Sequence, residues 1–450
     1  MLSQKYSLIY TTNIVMANKA IKPRSVSRRQ FLKNTAIVSA GIFIVPRHVL
    51  GKGYTAPSDQ VTLGFIGVGK QGTGLANPFL DTGEAKIIAA CDVYAAKLKN
   101  FTTKVNTWYA AKAAQSNYNG CTPFVDFREL LSRKDIDAVV IASPDHWHAV
   151  HVVKAAGAGK DIYCEKPLSL TIKEGQAMVK AVQKNKRVMQ TGSMQRSWPE
   201  FRQAVNLVRN GYIGDIKTVK VNVGGPPEPY NLPAEAIPEG LDWNFWLGPN
   251  FEAPFNSQLA PLPTADFWAR WRYYKGFGGG GVTDWGAHMF DIVQWAFDMD
   301  RSGPIKITPP DGKDVRFLTF EYSNGITVTH EDFGISNAVR FIGSKGQLDI
   351  QRRKLETTPV EIKDHVFGAN EKLVYHSENH YKDWLQAIKT RKQPICDIET
   401  GHRTATVCNL GNIAYELKRP LTWDPAKEKF VDDAVANAMR GRKMRKPWRV

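Results

Sequence analysis

A glycine-rich turn between two apolar segments constrains the fold of this 450-residue chain more than any other feature. Residues 61–66 run directly into Gly67, Gly69 and Gly72, a helical stretch follows, and a second apolar segment ends at Asp92. The first glycine permits a tight turn, the second lets backbone N–H groups approach a pyrophosphate, and the third allows close helix–strand packing. The order of these parts predicts a dinucleotide-binding unit rather than a purely structural turn.

The residues around this turn indicate which dinucleotide would bind. The helix that begins near Lys70 and Gln71 would direct its N–H groups and partial positive charge at the phosphates. Asp92 lies 20 residues after Gly72, where a carboxylate can bind both ribose hydroxyls and would repel a 2′-phosphate. NAD is therefore the favoured cofactor. Lys97 lies close enough to attract that phosphate, so NADP is the less favoured alternative.

Strands and helices alternate through residues 57–195. Five apolar segments have the length of buried strands: 61–66, 86–91, 137–142, 161–164 and 187–191. Helical stretches separate them, which predicts an α/β Rossmann domain with a doubly wound parallel sheet. Such sheets bind ligands beyond the carboxyl ends of their strands. Residues that follow the strands should therefore line one crevice: Asp92, Ser143, Pro144, Glu165, Lys166 and Thr191.

The pattern changes in residues 196–435. A helix is predicted over 200–209, and alternating segments predict strands at 216–223, 315–322, 325–331, 337–342 and 347–350. These strands follow one another without intervening helices, so this second sheet is expected to be largely antiparallel. Residues 224–265 are rich in Pro, Gly, Asn and aromatic residues and are predicted to form loops over a site.

Four motifs in order resemble the glucose–fructose oxidoreductase, inositol dehydrogenase and MocA-like (Gfo/Idh/MocA) family. They are Gly67-x-Gly69-x-x-Gly72, Ser143-Pro144-Asp145-x-x-His148, Glu165-Lys166-Pro167 and Asp284-x-x-x-His288. Asp145 stands where the family usually has Asn. The resemblance implies a Rossmann domain followed by a C-terminal α+β domain over about residues 60–435. It also implies that the second sheet is open and often packs in homo-oligomers, and that many members act on sugars, cyclitols or their acids.

The resemblance also implies roles for individual residues. Lys166, Asp284 and His288 would form the catalytic group, with His288 as acid/base for the reacting hydroxyl. Asp284 would orient His288 or accept a sugar hydroxyl, and Lys166 would anchor the reacting oxygen; Lys166 and His288 exchange roles among members. Without the resemblance, Asp284 and His288 would be interpreted as a helix cap and a core histidine. Cofactor contacts are assigned to the glycine turn with Lys70 and Gln71, and to Asp92, Ser143, Pro144, His148, Glu165 and Lys166.

Aromatic and basic residues at 268–273 are candidates for substrate contacts. Trp268 and Arg272 could stack on a sugar and bind its hydroxyls, although anchoring of a loop or an oligomer contact fits equally well. His380, just before an amphipathic helix, is a further candidate at the border of the site. The five cysteines form no CxxC or His/Cys metal spacing, so they are expected to be small buried residues and no metal site is predicted.

Residues 1–56 are predicted to be a leader. A twin-arginine pattern at 27–33 precedes an uncharged stretch at 35–45 that is too short for a stable membrane span. This favours export to the periplasm by the twin-arginine machinery over a disordered leader on a cytoplasmic enzyme. Together with the Trp-rich middle and the glycines at 278–281, it resembles the exported branch of the family in Bacteroidetes-type bacteria. No apolar run of about 18 residues occurs after residue 50, so no further membrane span is predicted.

The formal net charge of +17 is concentrated at the two ends of the chain. Residues 1–52 carry nine Lys or Arg and no acid, and residues 440–450 carry six more, which leaves +2 for the remainder. A nucleic-acid-binding face is therefore not predicted. The basic tail at 436–450 is expected to be a solvated terminus, or to touch a subunit or an acidic surface.

Export would separate the protein from bulk NAD, so its cofactor is expected to be tightly bound and regenerated within each cycle. One chemistry that satisfies this is hydride transfer at a carbinol carbon of a carbohydrate or polyol, coupled to reduction of a second substrate. Another is a redox-neutral NAD-dependent glycoside hydrolase or lyase that oxidises, eliminates and reduces. A sugar-binding protein that retains its cofactor without turnover is a third possibility, against which the complete catalytic group argues.

Overall fold

The computed structural model describes residues 59–112 and 118–450. The predicted leader at 1–56, with its twin-arginine pattern, lies outside these residues. Within the described ranges, no helix is both long enough and apolar enough to cross a membrane. All five cysteines are unpaired and buried, as expected of small apolar residues.

Six parallel strands form the first sheet in the order β3-β2-β1-β4-β5-β6. They are β1 Val61–Ile66, β2 Ala85–Cys91, β3 Thr122–Phe124, β4 Ala138–Ile141, β5 Asp161–Cys164 and β6 Met189–Thr191. The strand order runs outward from β1 on one side and from β4 on the other, so the crevice for a ligand lies after these two strands. The predicted doubly wound sheet is confirmed.

Five helices connect these strands: α1 Lys70–Leu80, α2 Ala95–Ala110, α3 Phe127–Ser132, α4 Asp145–Gly157 and α5 Ile172–Lys184. Two of them begin at a capping side chain, since Thr171 caps α5 and Asp126 caps α3 through side-chain oxygens. No side chain caps α1, α2 or α4, and the residue that precedes α1 is Gly69. The first N–H groups of α1 are therefore available to an outside acceptor.

Nine strands form the second sheet in the order β13-β12-β11-β7-β10-β9-β8-β14-β15. They are β7 Ile216–Asn222, β8 Lys306–Thr308, β9 Leu318–Glu321, β10 Thr327–His330, β11 Ala338–Gly343, β12 Gly346–Gln351, β13 Lys354–Thr358, β14 Leu421–Asp424 and β15 Lys429–Phe430. β7 and β10 pair in parallel, whereas every other neighbouring pair is antiparallel. The predicted, largely antiparallel sheet and its hairpin around residues 343–346 are confirmed.

The remaining helices are α6 Pro199–Arg209, α7 Trp243–Leu247, α8 Gly280–Asp284, α9 Gly286–Ala296, α10 His380–Thr390, α11 Ile398–Leu417 and α12 Ala434–Met439. Helices α6, α9 and α11 pack on the second sheet in one apolar core, to which Phe201, Phe290 and Leu410 contribute. Helix α10 instead packs on the first sheet, where Trp384 and Leu385 join its core. Short 3₁₀ helices occur at Met194–Ser197, Arg270–Tyr273 and Val360–Asp364.

The basic tail is not the solvated terminus that its charge suggests. Arg442 donates to the buried carboxylate of Glu174 at 2.8 Å. The indole of Trp448 stacks on Phe245 and lies edge-on to Trp147, at ring-centroid distances of 5.6 and 4.7 Å. An apolar ring and a matched ion pair therefore hold this segment against the first domain.

Candidate active site

A cavity lies at the carboxyl ends of β1, β2 and β4, where the strand order places a ligand crevice. Seven of the predicted cofactor residues line it: Gly67, Gly69, Lys70, Gln71, Asp92, Ser143 and Pro144. Its other wall comes from the second half of the chain, where many of residues 259–272 line the same cavity. We call residues 259–272 the cover segment. Gly72, His148, Glu165 and Lys166 do not line this cavity.

The three glycines fit a dinucleotide in the way their order predicts. Gly67 has φ +82°, and a Cβ there would lie 2.5 Å from the backbone nitrogen of Ser143. A Cβ on Gly72 would lie 2.2 Å from the carbonyl oxygen of Gly67, whereas one on Gly69 would meet nothing within 4 Å. The first and third glycines are therefore required for packing. The second leaves open space over the uncapped start of α1, as an approaching pyrophosphate requires.

Asp92 is held where a ribose would lie. Its carboxylate accepts hydrogen bonds from the backbone N–H groups of Val68 at 2.9 Å and Tyr94 at 3.0 Å. Burial raises the pKa of Asp92, and the nearby charge of Lys97 partly opposes that rise. Both Asp92 and Lys97 line the cavity, so this end presents a hydroxyl acceptor and a cation together.

His148 and Glu165 lie beneath the cavity rather than in its wall. The ring nitrogens of His148 lie 3.0 Å from the carbonyl oxygen of Pro167 and 2.9 Å from that of Ser143. Burial lowers the pKa of His148 to about 4, so the ring is neutral near pH 7. A neutral ring carries a single N–H, so His148 donates to one of these two carbonyl oxygens, and the cofactor contact expected of it stays a prediction. Glu165 is buried, and burial raises the pKa of its carboxyl.

Lys166 and Asp284 meet at the end of β5. Nζ of Lys166 donates to Oδ1 of Asp284 at 2.6 Å and to its backbone carbonyl oxygen at 2.9 Å. Nε of Arg272 lies 3.6 Å from the same Oδ1. Burial would raise the pKa of Asp284, but the charges of Lys166 and Arg272 outweigh it and hold the pKa below its usual value. The side chains of Lys166 and Asp284 remain 17% and 14% exposed, so a substrate can reach them.

His288 contacts Arg352 rather than Asp284. Its Nε2 lies 3.1 Å from Nη2 of Arg352. Because a guanidinium only donates, Nε2 accepts, and the neutral ring carries its proton on Nδ1. That Nδ1 has no partner among the described residues. Burial and the charges of Lys166 and Arg352 hold the pKa of His288 well below its usual value.

The expected orientation of His288 by Asp284 is therefore not found. The two residues are four positions apart, but α8 ends at Asp284 and α9 begins only at Gly286, and Lys166 occupies the carboxylate. Arg352 carries no motif signal, because the turn between β12 and β13 brings it to the site from a distant part of the chain.

The three predicted substrate residues have different surroundings. Trp268 is 49% exposed and lines the cavity, with Nζ of Lys70 5.3 Å from its ring centroid. Arg272 lines the cavity and reaches Asp284. His380 is buried, and its ring nitrogens lie 3.1 Å from Oγ of Ser197 and 3.0 Å from the carbonyl oxygen of Thr191. Since both nitrogens are used within the protein, His380 is not a substrate contact.

No group of three His, Cys, Asp or Glu residues in the described ranges could hold a metal ion.

Comparisons with known proteins agree with this architecture. The uncharacterized oxidoreductase YrbE of Bacillus subtilis is 23% identical over 385 residues, which are 81% of this chain and 96% of that protein. Glycosyl hydrolase family 109 protein 1 of Shewanella sp. is 30% identical over 211 residues, which are 43% of this chain and 44% of that protein. The crystal structure of aldose-aldose oxidoreductase from Caulobacter crescentus is similar in fold, with a TM-score of 0.55 at 18% identity, covering 81% and 99% of the two chains.

Family models match nearly all of the described chain. The model for the NAD-binding Rossmann fold of the oxidoreductase family matches residues 61–193, and the model for the C-terminal alpha/beta domain of that family matches residues 180–450. The four motifs, the two sheets and the cavity between the glycine turn and the cover segment agree with both assignments. The chain belongs to the Gfo/Idh/MocA family of oxidoreductases with a nicotinamide cofactor.

Proposed function

We propose that the protein transfers a hydride from a carbinol carbon of a carbohydrate or polyol, using NAD that stays in the cavity throughout the cycle. The observation that carries this proposal is the ion pair between Lys166 and Asp284. It joins the end of a Rossmann strand to a helix of the second domain, beside the dinucleotide cavity. A proton-handling pair at this position is what oxidation of an alcohol requires.

Lys166, Asp284 and His288 can each be given a role at a particular atom. A nicotinamide ring bound in the cavity would accept the hydride. Lys166 would bind the reacting oxygen through an N–H of its ammonium group. Oδ1 of Asp284 holds Lys166, whereas no described residue donates to Oδ2, which would accept the hydroxyl proton. His288 would donate from Nδ1, since Arg352 occupies its other nitrogen.

The cover segment supports retention of the cofactor. It forms the second wall of the cavity, and the guanidinium of Arg272 links it to Asp284. The same guanidinium lies 5.3 Å from the ring centroid of Trp268 within the segment. Release of a dinucleotide would require this segment to move away from the glycine turn. The fold similarity to an aldose-aldose oxidoreductase is compatible with a cycle in which one sugar reduces the bound NAD and a second sugar oxidises the NADH that results.

A second candidate is a redox-neutral glycoside hydrolase, which the relatives named glycosyl hydrolase family 109 favour. Transient oxidation, typically at C3, would acidify the proton on C2, and loss of that proton would expel the aglycone from C1. Water would add at C1, a proton would return to C2, and C3 would be reduced again. The same three residues would serve this reaction, which leaves no net change in the cofactor.

Export to the periplasm by the twin-arginine route is part of the proposal, and it rests on the pattern around Arg28 and Arg29. A retained cofactor would suit a compartment without bulk NAD. Assembly into a homo-oligomer stays a prediction from the family resemblance.

The test is to purify the protein without added nucleotide, denature it, and quantify the nicotinamide nucleotides that are released. We expect about one equivalent of NAD or NADH per chain. The intact protein is then mixed with sugars, polyols and nitrophenyl glycosides in D₂O, and absorbance at 340 nm, nitrophenol release and deuterium at C2 are followed. A change at 340 nm without aglycone release supports the first candidate, and release with C2 deuteration supports the second. A protein that neither contains nor takes up NAD would refute both.

A further inference from the structure

Lys166 of the candidate catalytic group has two further cations beside it, Arg272 and Arg352, and Arg352 lacks a carboxylate partner in contact with it. Lys166 and Arg272 both lie close to Oδ1 of Asp284. Arg352 reaches His288 on the other side of the group, yet no carboxylate of a described residue lies within 4.0 Å of its nitrogens, and the charges of Asp284 and Glu165 act on it only from beyond that distance. A cation that is partly buried without a counterion has lost hydration and gained no ion pair. Such a group is suited to bind an anion from outside.

Arg352 is fixed in position, although it is unpaired. Its Nε donates to Oε1 of Gln195 at 3.0 Å, its Nη2 donates to His288, and its central carbon lies 4.5 Å from the ring centroid of Trp285. Its Nη1 makes no hydrogen bond to a described residue. These contacts hold the guanidinium plane in place, so little side-chain entropy remains to be lost when a ligand binds.

The groups next to Arg352 also lack acceptors. Gln195 and His288 are 1% and 3% exposed. Nε2 of Gln195 and Nδ1 of His288 are buried, and neither has a partner in the described part of the chain. The surroundings of Arg352 therefore contain several unused N–H donors. Buried donors of this kind normally have partners, so an oxygen-rich group is expected to complete this site.

We propose that Arg352 determines substrate specificity by binding a carboxylate of the sugar, which makes acidic sugars such as hexuronates and their glycosides the substrate class. The inference rests on the proposed function, because it places this carboxylate on the molecule that Lys166 and Asp284 act on. The free edge of the guanidinium offers parallel N–H groups that match a planar carboxylate. One unpaired cation matches a monoanion better than a phosphate group, which carries close to two charges.

The experiment compares matched sugars with matched variants. Binding of glucose and glucuronate, and of galactose and galacturonate, is measured by calorimetry with the protein in its nucleotide-containing form. The variants are Arg352→Gln, which removes the charge, and Arg352→Lys, which keeps the charge but loses the fork. Arg353→Gln is the control, because it removes the same charge from the next, exposed position.

We expect the unaltered protein to bind a hexuronate at least about tenfold more tightly than the matched hexose. Arg352→Gln should reduce this ratio to near one, whatever the affinity for the hexose becomes. Arg352→Lys should give an intermediate ratio, and Arg353→Gln should keep the full ratio. The ratio separates recognition from a general loss of structure, which would weaken both ligands alike.

Three outcomes would overturn the inference. Equal or better binding of neutral sugars, with hydride transfer from them, would refute it and leave the proposed function intact. A preference for hexose 6-phosphate over hexuronate would show that Arg352 binds a phosphate and not a carboxylate. If no sugar, acidic or neutral, binds or changes the absorbance at 340 nm, the proposed function is contradicted, and this inference is contradicted with it.

Discussion

Nζ of Lys166 and Oδ1 of Asp284 lie 2.6 Å apart although the two residues are separated by 118 positions in the chain. Lys166 follows the fifth strand of the Rossmann sheet, and Asp284 ends a short helix of the second domain. The pair therefore connects the two domains at the place where chemistry is proposed. Because two hydrogen bonds already hold Lys166 against Asp284, little reorganisation is needed when a hydroxyl arrives.

Removal of either member of this pair should abolish most turnover. Lys166→Met and Asp284→Asn should each lower the rate of hydride transfer by about 10²- to 10⁴-fold, because proton transfer in the oxidation loses its catalyst. The amount of nucleotide that stays bound per chain should not change, since neither residue lines the dinucleotide cavity. Stopped-flow absorbance at 340 nm measures the rate. Lys99→Met, an exposed position on α2, is the control, and unaltered rates in both pair variants would refute the assigned roles.

The second and third glycines of the turn should respond differently to the same substitution. Gly69→Ala should fold normally, because its Cβ meets nothing within 4 Å, but should lose bound NAD as the methyl group fills the space for the pyrophosphate. Gly72→Ala should be destabilised by about 1–3 kcal/mol, because its Cβ would press on a carbonyl oxygen. Urea unfolding and nucleotide content distinguish the two. Full retention of NAD by Gly69→Ala would show that the dinucleotide binds elsewhere.

The cover segment should control how fast the cofactor leaves. Trp268→Ala removes a ring whose centroid lies 5.3 Å from the charged groups of both Lys70 and Arg272, so the dissociation rate of NAD should rise by about tenfold. Stability should hardly change, because the ring is half-exposed. Tyr273→Ala is the matched control, being 41% exposed just after the cover segment without lining the cavity. Equal dissociation rates in the two variants would argue against a retaining role.

Stability should fall as the pH is lowered through the window from 6.5 to 4. Burial lowers the pKa of His148 and of His380 to about 4. Between pH 6.5 and 4, both residues are therefore neutral in the folded state, whereas they are already protonated in the unfolded chain. The unfolded state is therefore favoured progressively as the pH falls through this window, and the full loss is reached below about pH 4.

The contribution of His148 can be isolated. Between pH 7.5 and 4.5 it should account for about 2–3 kcal/mol of the decrease in unfolding free energy. His148→Gln should flatten the pH profile by that amount, whatever its stability at pH 7.5. Denaturant midpoints at several pH values measure this effect, and parallel profiles would show that His148 does not titrate as described.

Much of the fold follows from local patterns in the sequence. Strands β1, β2, β4 and β5 are short, apolar and separated by helices, so their positions could be predicted almost to the residue. Strand β3 could not, because its three residues are largely exposed and have no apolar run. Helix α11 could not be predicted either, since its own buried residues lie on nearly every face and leave no amphipathic period.

Some residues of the candidate site can likewise be predicted from local patterns in the sequence, and others cannot. The glycine turn, Asp92, Lys166 and Asp284 occur in motifs whose spacing reflects local geometry, so the sequence indicates them. Arg352 and Gln195 are brought together by a hairpin turn and a 3₁₀ helix 157 residues apart, and no local pattern records that contact. The internal contacts of His380 could not be predicted either, because its position before a helix does not show that both ring nitrogens are used within the protein.

The packing of Trp448 on Trp147 and Phe245 has a consequence for how the protein is made. Trp147 and Phe245 line the dinucleotide cavity, and the ring that supports them from behind lies about 300 positions after Trp147. During synthesis the glycine turn emerges early, but this wall cannot be braced until residue 448 has left the ribosome. A fragment that contains only the Rossmann sheet would therefore be an incomplete receptor, and loading of the cofactor into the finished cavity is an event that follows translation of almost the whole chain.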